Sequence, residues 1–306
     1  MDKISRREFL IRGATLGLAY GGLGLISTPS ILRAVTEAAP PKPLDLAVAK
    51  GGSPAENTMK AIQALGGIER FVKKGSKVAL KPNCLAANPP EIASTTNPDV
   101  MEVLVKMCLQ AGAREVVVTS HDPERSFQIS RVTDVCSAAG ARVVAANTRD
   151  LYQSVPVLRG RLLQNVEIIK EILDADVFIN VPIAKHHSQT EVTLSMKNLM
   201  GINWDRAFFH INGLDQAIAD LNTVVKPDLI IMDANRILLT NGPAGPGQTR
   251  DERTVIAGTD PVAMDAYTTA LFDRAPRDIR HIRFAYESGI GEMNLDKLKI
   301  KEMAVN

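Results

Sequence analysis

The chain has 306 residues, with 36 Lys and Arg against 34 Asp and Glu, a formal net charge of +2 and only 4% aromatic residues. That balance excludes the basic footprint of a nucleic-acid binder and a polybasic membrane patch, so no nucleic-acid partner is expected, and it leaves the core to aliphatic side chains. Cys84, Cys108 and Cys136 are far apart and no CxxC occurs, so an iron–sulfur cluster held by four thiolates of this chain is not expected.

The first element is a targeting segment. Ser5-Arg6-Arg7-Glu8-Phe9-Leu10 matches the twin-arginine pattern, and an uncharged run from Gly13 to Leu32 follows Arg12. A charged stretch ahead of an apolar run is the layout of a secretory signal, and the arginine pair belongs to the twin-arginine address. Five glycines between Gly13 and Gly24 keep the run weakly apolar. The expected partner during export is the twin-arginine translocase, and the expected location is the periplasm or the outer face of the cytoplasmic membrane. The segment 1–38 reads as the signal and 39–43 as a Pro-rich linker. An uncleaved anchor stays open as an alternative, because twenty uncharged residues can just span a bilayer. Removing residues 1–38 takes away five basic and three acidic groups and leaves 31 of each sign in about 268 residues.

Residues 44–306 alternate between strand and helix patterns. Leu44 to Ala49 predicts a strand, Asn57 to Leu65 an amphipathic helix ended by Gly66-Gly67, with a short helix to Lys74 after it. Lys77 to Lys81 is an aliphatic strand stopped by Pro82. Pro98 to Gly112 has helical spacing, with Asn97 as cap ahead of a proline at the first helical position. Glu115 to Thr119 predicts a buried strand, Ser130 to Gly140 a helix and Ala141 to Ala145 a strand. In the second half, Asn165 to Asp174 reads as helix, Asp176 to Val181 as strand and Asp215 to Val225 as helix. Asp228 to Asp233 and Thr254 to Gly258 read as strands. Pro261 to Phe272, capped by Asp260, and Arg277 to Ser288 complete the helices. Such alternation predicts an α/β fold, a largely parallel sheet covered by helices on both faces, as one domain or two closely packed lobes. Cys108 falls on the apolar face of its helix and reads as a plain buried residue. One disulfide is open in an oxidising compartment, with no pairing assignable.

Ligands of open parallel sheets bind beyond the carboxyl ends of the strands. Four polar clusters sit at such ends: Lys81-Pro82-Asn83, Ser120-His121-Asp122, Pro182 to His187, and Asp233-Ala234-Asn235. Their shared position predicts convergence on one cleft. The stretch VPIAKHHSQTEVTLSMKNLMG carries Lys185, His186, His187 and Lys197, and His210 follows. Adjacent residues of an extended segment point to opposite faces, so only one of the two histidines is expected in the cleft. Lysines with imidazoles make an anion site, lysine as point charge and histidine as donor or proton shuttle. His187 and His210 with Asp233 are also candidate ligands of a transition metal. Asn241-Gly-Pro-Ala-Gly-Pro-Gly247 either brings backbone close to a ligand or forms a rigid turn. Asp265 is either paired in the core or lines the cleft. GxSxG, HExxH and GxGxxG are all missing, against the common hydrolase, zinc-protease and dinucleotide-binding readings.

Four segments in order, GGIERFVKKGSKVALKPN, VPIAKHHSQTEVTLSMKNLMGI, IMDANRILLTNGPAGPG and AGTDPVAMDAYTTALF, resemble the family called domain of unknown function 362, over about Leu44 to Phe272. The resemblance implies functional roles for Lys81, Asn83, Lys185, His187, Lys197, Asn198, His210, Asp233, Asn241, Gly242, Pro243, Asp260 and Asp265. Many relatives append a ferredoxin-like cysteine segment that is missing here. A remote similarity of that family to the nickel-pincer lactate racemase group, whose substrates are 2-hydroxy acids, implies a cofactor-assisted proton or hydride step on a small acid. Two classes of function follow. One is an enzyme in which Lys185 and Lys197 hold a small anionic ligand and His187 and His210 move protons, with Lys81, Asn83, Asn198, Asn241 and Gly242 binding substrate or cofactor. The other is a non-catalytic metal- or anion-binding accessory protein for an exported redox partner. A deep cleft with converging Lys and His favours the first, a shallow one the second.

Overall fold

The computed structural model describes residues 43–306. The twin-arginine segment and the linker up to residue 42 lie outside the described residues. The strands are β1 (Leu46–Lys50), β2 (Lys77–Lys81), β3 (Glu115–Ser120), β4 (Arg142–Ala145), β5 (Tyr152–Pro156), β6 (Asn165–Ile169), β7 (Val177–Asn180), β8 (Ile183–His187), β9 (Glu191–Thr193), β10 (Leu229–Leu238), β11 (Thr249–Gly258) and β12 (Ile300–Ala304). One ten-stranded sheet runs in the order β12-β1-β11-β10-β7-β2-β3-β4, with β8 beside β10 and β9 beside β8. From β10 across to β4 every neighbour is parallel; β11 is antiparallel to both of its neighbours.

Alternation along the strands explains the two-sided core. Leu46, Val48, Ala79, Phe178, Ile230 and Met232 belong to one apolar cluster. Their immediate neighbours Ala47, Ala49, Leu80, Ile179 and Ile231 belong to another on the opposite face. Successive side chains of a strand project to opposite faces, so runs of Val, Ile and Ala with no polar interruption need helices on both sides. Each fully buried Val, Leu or Ile contributes on the order of 1.5–3 kcal/mol. The α/β reading therefore holds, and a single sheet crosses both halves of the described chain.

Local signals behave as their chemistry requires at most ends. Ser53 and Glu56 close a reciprocal capping box on the helix Pro54–Ala64, and Asn97 caps the helix Pro98–Gln110, accepting from the Asp99 N–H. Asp260 caps Pro261–Thr268, accepting from Val262 and Ala263, and the helix gives way to a 3-10 turn over Thr269–Phe272.

The structure corrects three expectations. Asn165 to Asp174 is not one helix: Asn165–Ile169 is strand β6, paired antiparallel with β5 from Tyr152↔Ile169 to Pro156↔Asn165, and only Lys170–Leu173 is helical. Its Val-Glu-Ile-Ile sequence suits a pleated, half-buried surface better than a helix. Ser130 to Gly140 is also broken. Arg131 sits at φ 64°, separating the helices Glu124–Ile129 and Val132–Ala138. The Asp228 to Asp233 strand continues to Leu238. All three cysteines are buried and free, so no disulfide forms. Among the described residues, no helix is long and apolar enough to cross a membrane.

Candidate functional site

Lys81 ends β2, and Asn83 follows the proline that stops the strand. The loop is held by paired hydrogen bonds, the Asn83 N–H donating to Thr96 Oγ1 and the Thr96 N–H to the Asn83 carbonyl. Lys185 and His187 lie on β8. Lys197 and Asn198 lie on the helical turn Ser195–Asn198. The buried Asp265 fixes that turn: its carboxylate accepts from the Ser195 N–H at 2.7 Å, from the Met196 N–H at 3.0 Å and from the Ser195 hydroxyl. Asp265 is thus paired in the core, and burial pushes its carboxyl up to about 7 against those three donors. Its role is to aim Lys197 and Asn198.

These elements surround a cleft of about 160 Å³, lined by Lys81, Asn83, Asp122, Lys185, His187, Lys197 and Asn198, with Arg206, His210 and Pro243 also contributing. It is well below the ~300–1,000 Å³ of pockets for drug-sized molecules. A groove of about 620 Å³ beside the β5–β6 hairpin is larger, but it gathers none of the site lysines or histidines.

A chain of amides spaces the ammonium groups. Lys81 Nζ donates to Asn198 Oδ1 at 2.8 Å, Asn83 Nδ2 donates to the same oxygen at 3.0 Å, and Lys185 Nζ donates to Asn83 Oδ1 at 3.0 Å. Lys185 also donates to the Ser94 carbonyl at 2.6 Å. Asn198 is itself oriented by donating to Asn180 Oδ1 at 2.8 Å. Among the described residues, Lys197 Nζ has one hydrogen-bond partner, Met200 Sδ at 3.4 Å. Gly201 lets Lys81 sit close, since a Cβ there would stand 2.6 Å from Lys81 Nζ and 2.9 Å from Ser120 Oγ and displace those side chains. Among the described residues, none of the three lysines has a carboxylate within salt-bridge distance.

Burial of like charges sets the proton affinities. Desolvation lowers Lys185 to about 7, against an upward pull from Asp122, and the ammoniums of Lys81 and Lys197 push further down. Desolvation brings Lys81 and Lys197 to about 8, opposed by Asp122 and Asp215 respectively. Asp122 is occupied elsewhere, accepting from the Cys84 N–H, the Ser120 hydroxyl and Arg206.

The two histidines of the cleft differ. His187 falls to about 3, through burial first and then the neighbouring Lys197 and Lys185. Its Nδ1 accepts from the backbone N–H of Gln189 at 3.1 Å and of Thr190 at 3.4 Å. The ring is therefore neutral with its proton on Nε2, a fixed hydrogen-bond donor and no proton shuttle at neutral pH. His210, exposed at the rim, has Nδ1 2.6 Å from Gln189 Oε1. An amide oxygen only accepts, so Nδ1 carries the proton and Nε2 keeps a lone pair. Burial and the cations Lys197 and Arg206 lower its proton affinity.

Three of the four polar clusters converge and the fourth does not. Asp233 lies on the opposite face of the sheet, in step with Ile231. Its carboxylate accepts from the Asn97 N–H at 2.8 Å and from Asn235 Nδ2 at 2.8 Å. The set His187, His210 and Asp233 is thus not assembled, and among the described residues no group of three or more His, Cys, Asp or Glu is placed to hold a metal. A metal on His187 Nε2 would also require the proton to move to Nδ1, against two N–H donors. Asn241 is exposed and ties its own loop, donating to the Pro246 carbonyl at 3.1 Å. Gly242 donates its N–H to His186 Nδ1 at 3.0 Å, and a Cβ there would lie 1.8 Å from the His186 carbonyl oxygen. Neither lines the cleft, whereas Pro243 does. His186 thus turns away from the cleft, as strand alternation predicts, and anchors the glycine–proline loop through Gly242. Gln189 and Arg206 went unread in the sequence. Gln189 lies in the turn after the His-His pair and links His187 to His210, a position a turn signal alone does not reveal. Arg206 pairs with Asp122 from a helix 84 residues later, beyond any spacing rule.

The fold and the site define an α/β protein with a small, lysine-rich cleft where parallel strands end. Residues 78–270 match the family described as Domain of unknown function (DUF362), and the chain belongs to that family. It is 28% identical over 251 residues to the thylakoid-associated protein sll1697 of Synechocystis sp. (strain ATCC 27184 / PCC 6803 / Kazusa), over 75% of this chain and 73% of that one. The lactate racemase apoprotein from Thermoanaerobacterium thermosaccharolyticum superposes with a TM-score of 0.46 at 12% identity, over 69% of this chain and 53% of that chain. The chain thus spans about half the length of that protein.

Proposed function

We propose that this is an exported enzyme that holds a small anionic substrate in the lysine cleft and moves a proton on it. One observation carries the reading: three buried lysines, none in contact with a carboxylate among the described residues, face a cleft sized for a small molecule. Buried charge is expensive unless paired, so the arrangement persists most economically where an anion completes it. Lys81 and Lys197 supply charge, and His187 Nε2–H supplies a fixed donor to the same anion. Lys185, at about 7, is poised to give or take a proton at neutral pH, and the free Nε2 of His210 is placed to accept one at the rim. The depth of the lysines favours an enzyme over a shallow accessory carrier.

Export is supported by Ser5-Arg6-Arg7-Glu8-Phe9-Leu10. Replacing Arg6 and Arg7 by lysine is expected to leave the protein in the cytoplasmic fraction; a periplasmic yield equal to wild type would defeat this. For activity, the full chain is incubated in D₂O with a panel of small carboxylic acids and the C–H signals are followed by NMR. Loss of a signal in wild type but not in Lys185→Met is expected. Exchange that is absent throughout, or equal in the variant, removes the proton-transfer reading.

A further inference from the structure

The charges lining the cleft do not balance. Among the described residues, Lys81, Lys185, Lys197 and Arg206 face it with Asp122 as the sole carboxylate, and Arg206 is paired with Asp122 at 3.3 Å. Asp215, behind Lys197, is engaged by Arg280 at 3.8 Å and His281 at 3.3 Å. His187 and His210 are neutral, as derived above. Among the described residues, three ammonium groups therefore lack a contacting counter-charge. One of these ammoniums and one hydroxyl among the described residues are also short of partners. Lys197 Nζ has only a thioether neighbour, and Thr193 Oγ1, buried on the cleft wall, has no hydrogen-bond partner.

We infer that the ligand of this cleft carries two negative charges in a small frame, a dianion such as a short dicarboxylate, and not a monocarboxylate. The inference rests on the anion-cleft reading and sharpens it. A single carboxylate neutralises one ammonium and leaves two like charges buried side by side. A dianion neutralises two, and the third then meets only the residual field of Asp122. Empty, the cleft relieves its own repulsion by losing protons from the lysines, whose affinities burial has already lowered. Filling it with negative charge restores those protons, so binding takes up protons from solution above neutral pH and weakens as pH rises.

The test is calorimetric titration of the full chain at pH 8 with malonate, sulfate and the monoanion 3-hydroxypropanoate, in two buffers of different ionisation enthalpy. Malonate and sulfate are expected to bind at least tenfold more tightly than 3-hydroxypropanoate. The heat should depend on the buffer as proton uptake requires. Lys197→Met is expected to lose tenfold or more for malonate. The near-isosteric Thr193→Val is expected to lose severalfold with a melting temperature no lower than wild type, a control for folding. If 3-hydroxypropanoate binds as tightly as malonate and Lys197→Met weakens it, the dianion inference fails and the anion cleft stands. If no anion binds, both fail.

Discussion

Lys197→Met is the perturbation that most sharply separates electrostatics from packing. The ammonium is buried, lacks a carboxylate in contact, and titrates near 8 where an ordinary lysine titrates near 10.5. At ~1.4 kcal/mol per pH unit, that gap corresponds to roughly 3 kcal/mol of unfavourable burial at neutral pH. Methionine has a similar length and no charge, and the contact given up is one to Met200 Sδ. The sign follows from linkage. Between pH 8 and 10.5 the unfolded chain holds this proton and the folded chain does not, so the cost is full below pH 8 and fades as pH rises towards 10.5. Lys197→Met should therefore stabilise the protein by about 1–3 kcal/mol at pH 7, and the gain should shrink to near zero by about pH 10.5. Urea unfolding of the full chain at pH 7, 8.5 and 10, with and without malonate, reads this directly. A variant less stable than wild type at pH 7, or a difference that does not change with pH, refutes the reasoning.

Other perturbations test the supports of the cleft. Gly201→Ala should drive the Lys81 ammonium from its seat, costing about 1–3 kcal/mol as overpacking does and lowering anion affinity; an unchanged urea midpoint and affinity would show that Lys81 has room to yield. Asp265→Ala should cost about 2–4 kcal/mol, because it strands the Ser195 and Met196 N–H groups in the core. Anion affinity should fall with it even at temperatures where the variant is fully folded, as binding isotherms would report. The thiols of Cys84, Cys108 and Cys136, raised by burial, should react with a disulfide reagent only after unfolding. Rapid reaction of any one in the native protein would contradict its burial.

Much of the fold was legible because buried parallel strands leave a local trace. Lys77–Lys81 ends where Pro82 forbids another ladder bond, and Asn97, Asp260 and the prolines after them mark helix starts through groups that hydrogen bonding must satisfy. Strand β6 was hidden because Asn165 to Asp174 suits either period, and the partner that decides it, β5, lies in a separate segment. The cleft was legible through Lys81, Lys185 and His187, since each stands at or near the end of a strand, and through Lys197 only by its closeness in sequence to them. Asp233 illustrates the limit. It too follows an apolar run, but its strand continues past it, and alternation turns the carboxylate to the other face towards Asn97. Roles were less legible than positions. Nothing in the pair His186-His187 says that Gln189 and Thr190 will pin one tautomer, or that burial beside Lys197 and Lys185 will hold the ring neutral.

The claim at the centre of this account is that Lys81, Lys185 and Lys197 together bind one small anion. The most direct measurement is a crystal structure of the protein grown at pH 7 in the presence of malonate, with the Lys197→Met variant treated identically. The account predicts one malonate within hydrogen-bond reach of Lys81, Lys185 and Lys197 in the wild type, and none there in the variant. Malonate bound only elsewhere, or a cleft holding water alone with each lysine turned to a protein carboxylate, would contradict it.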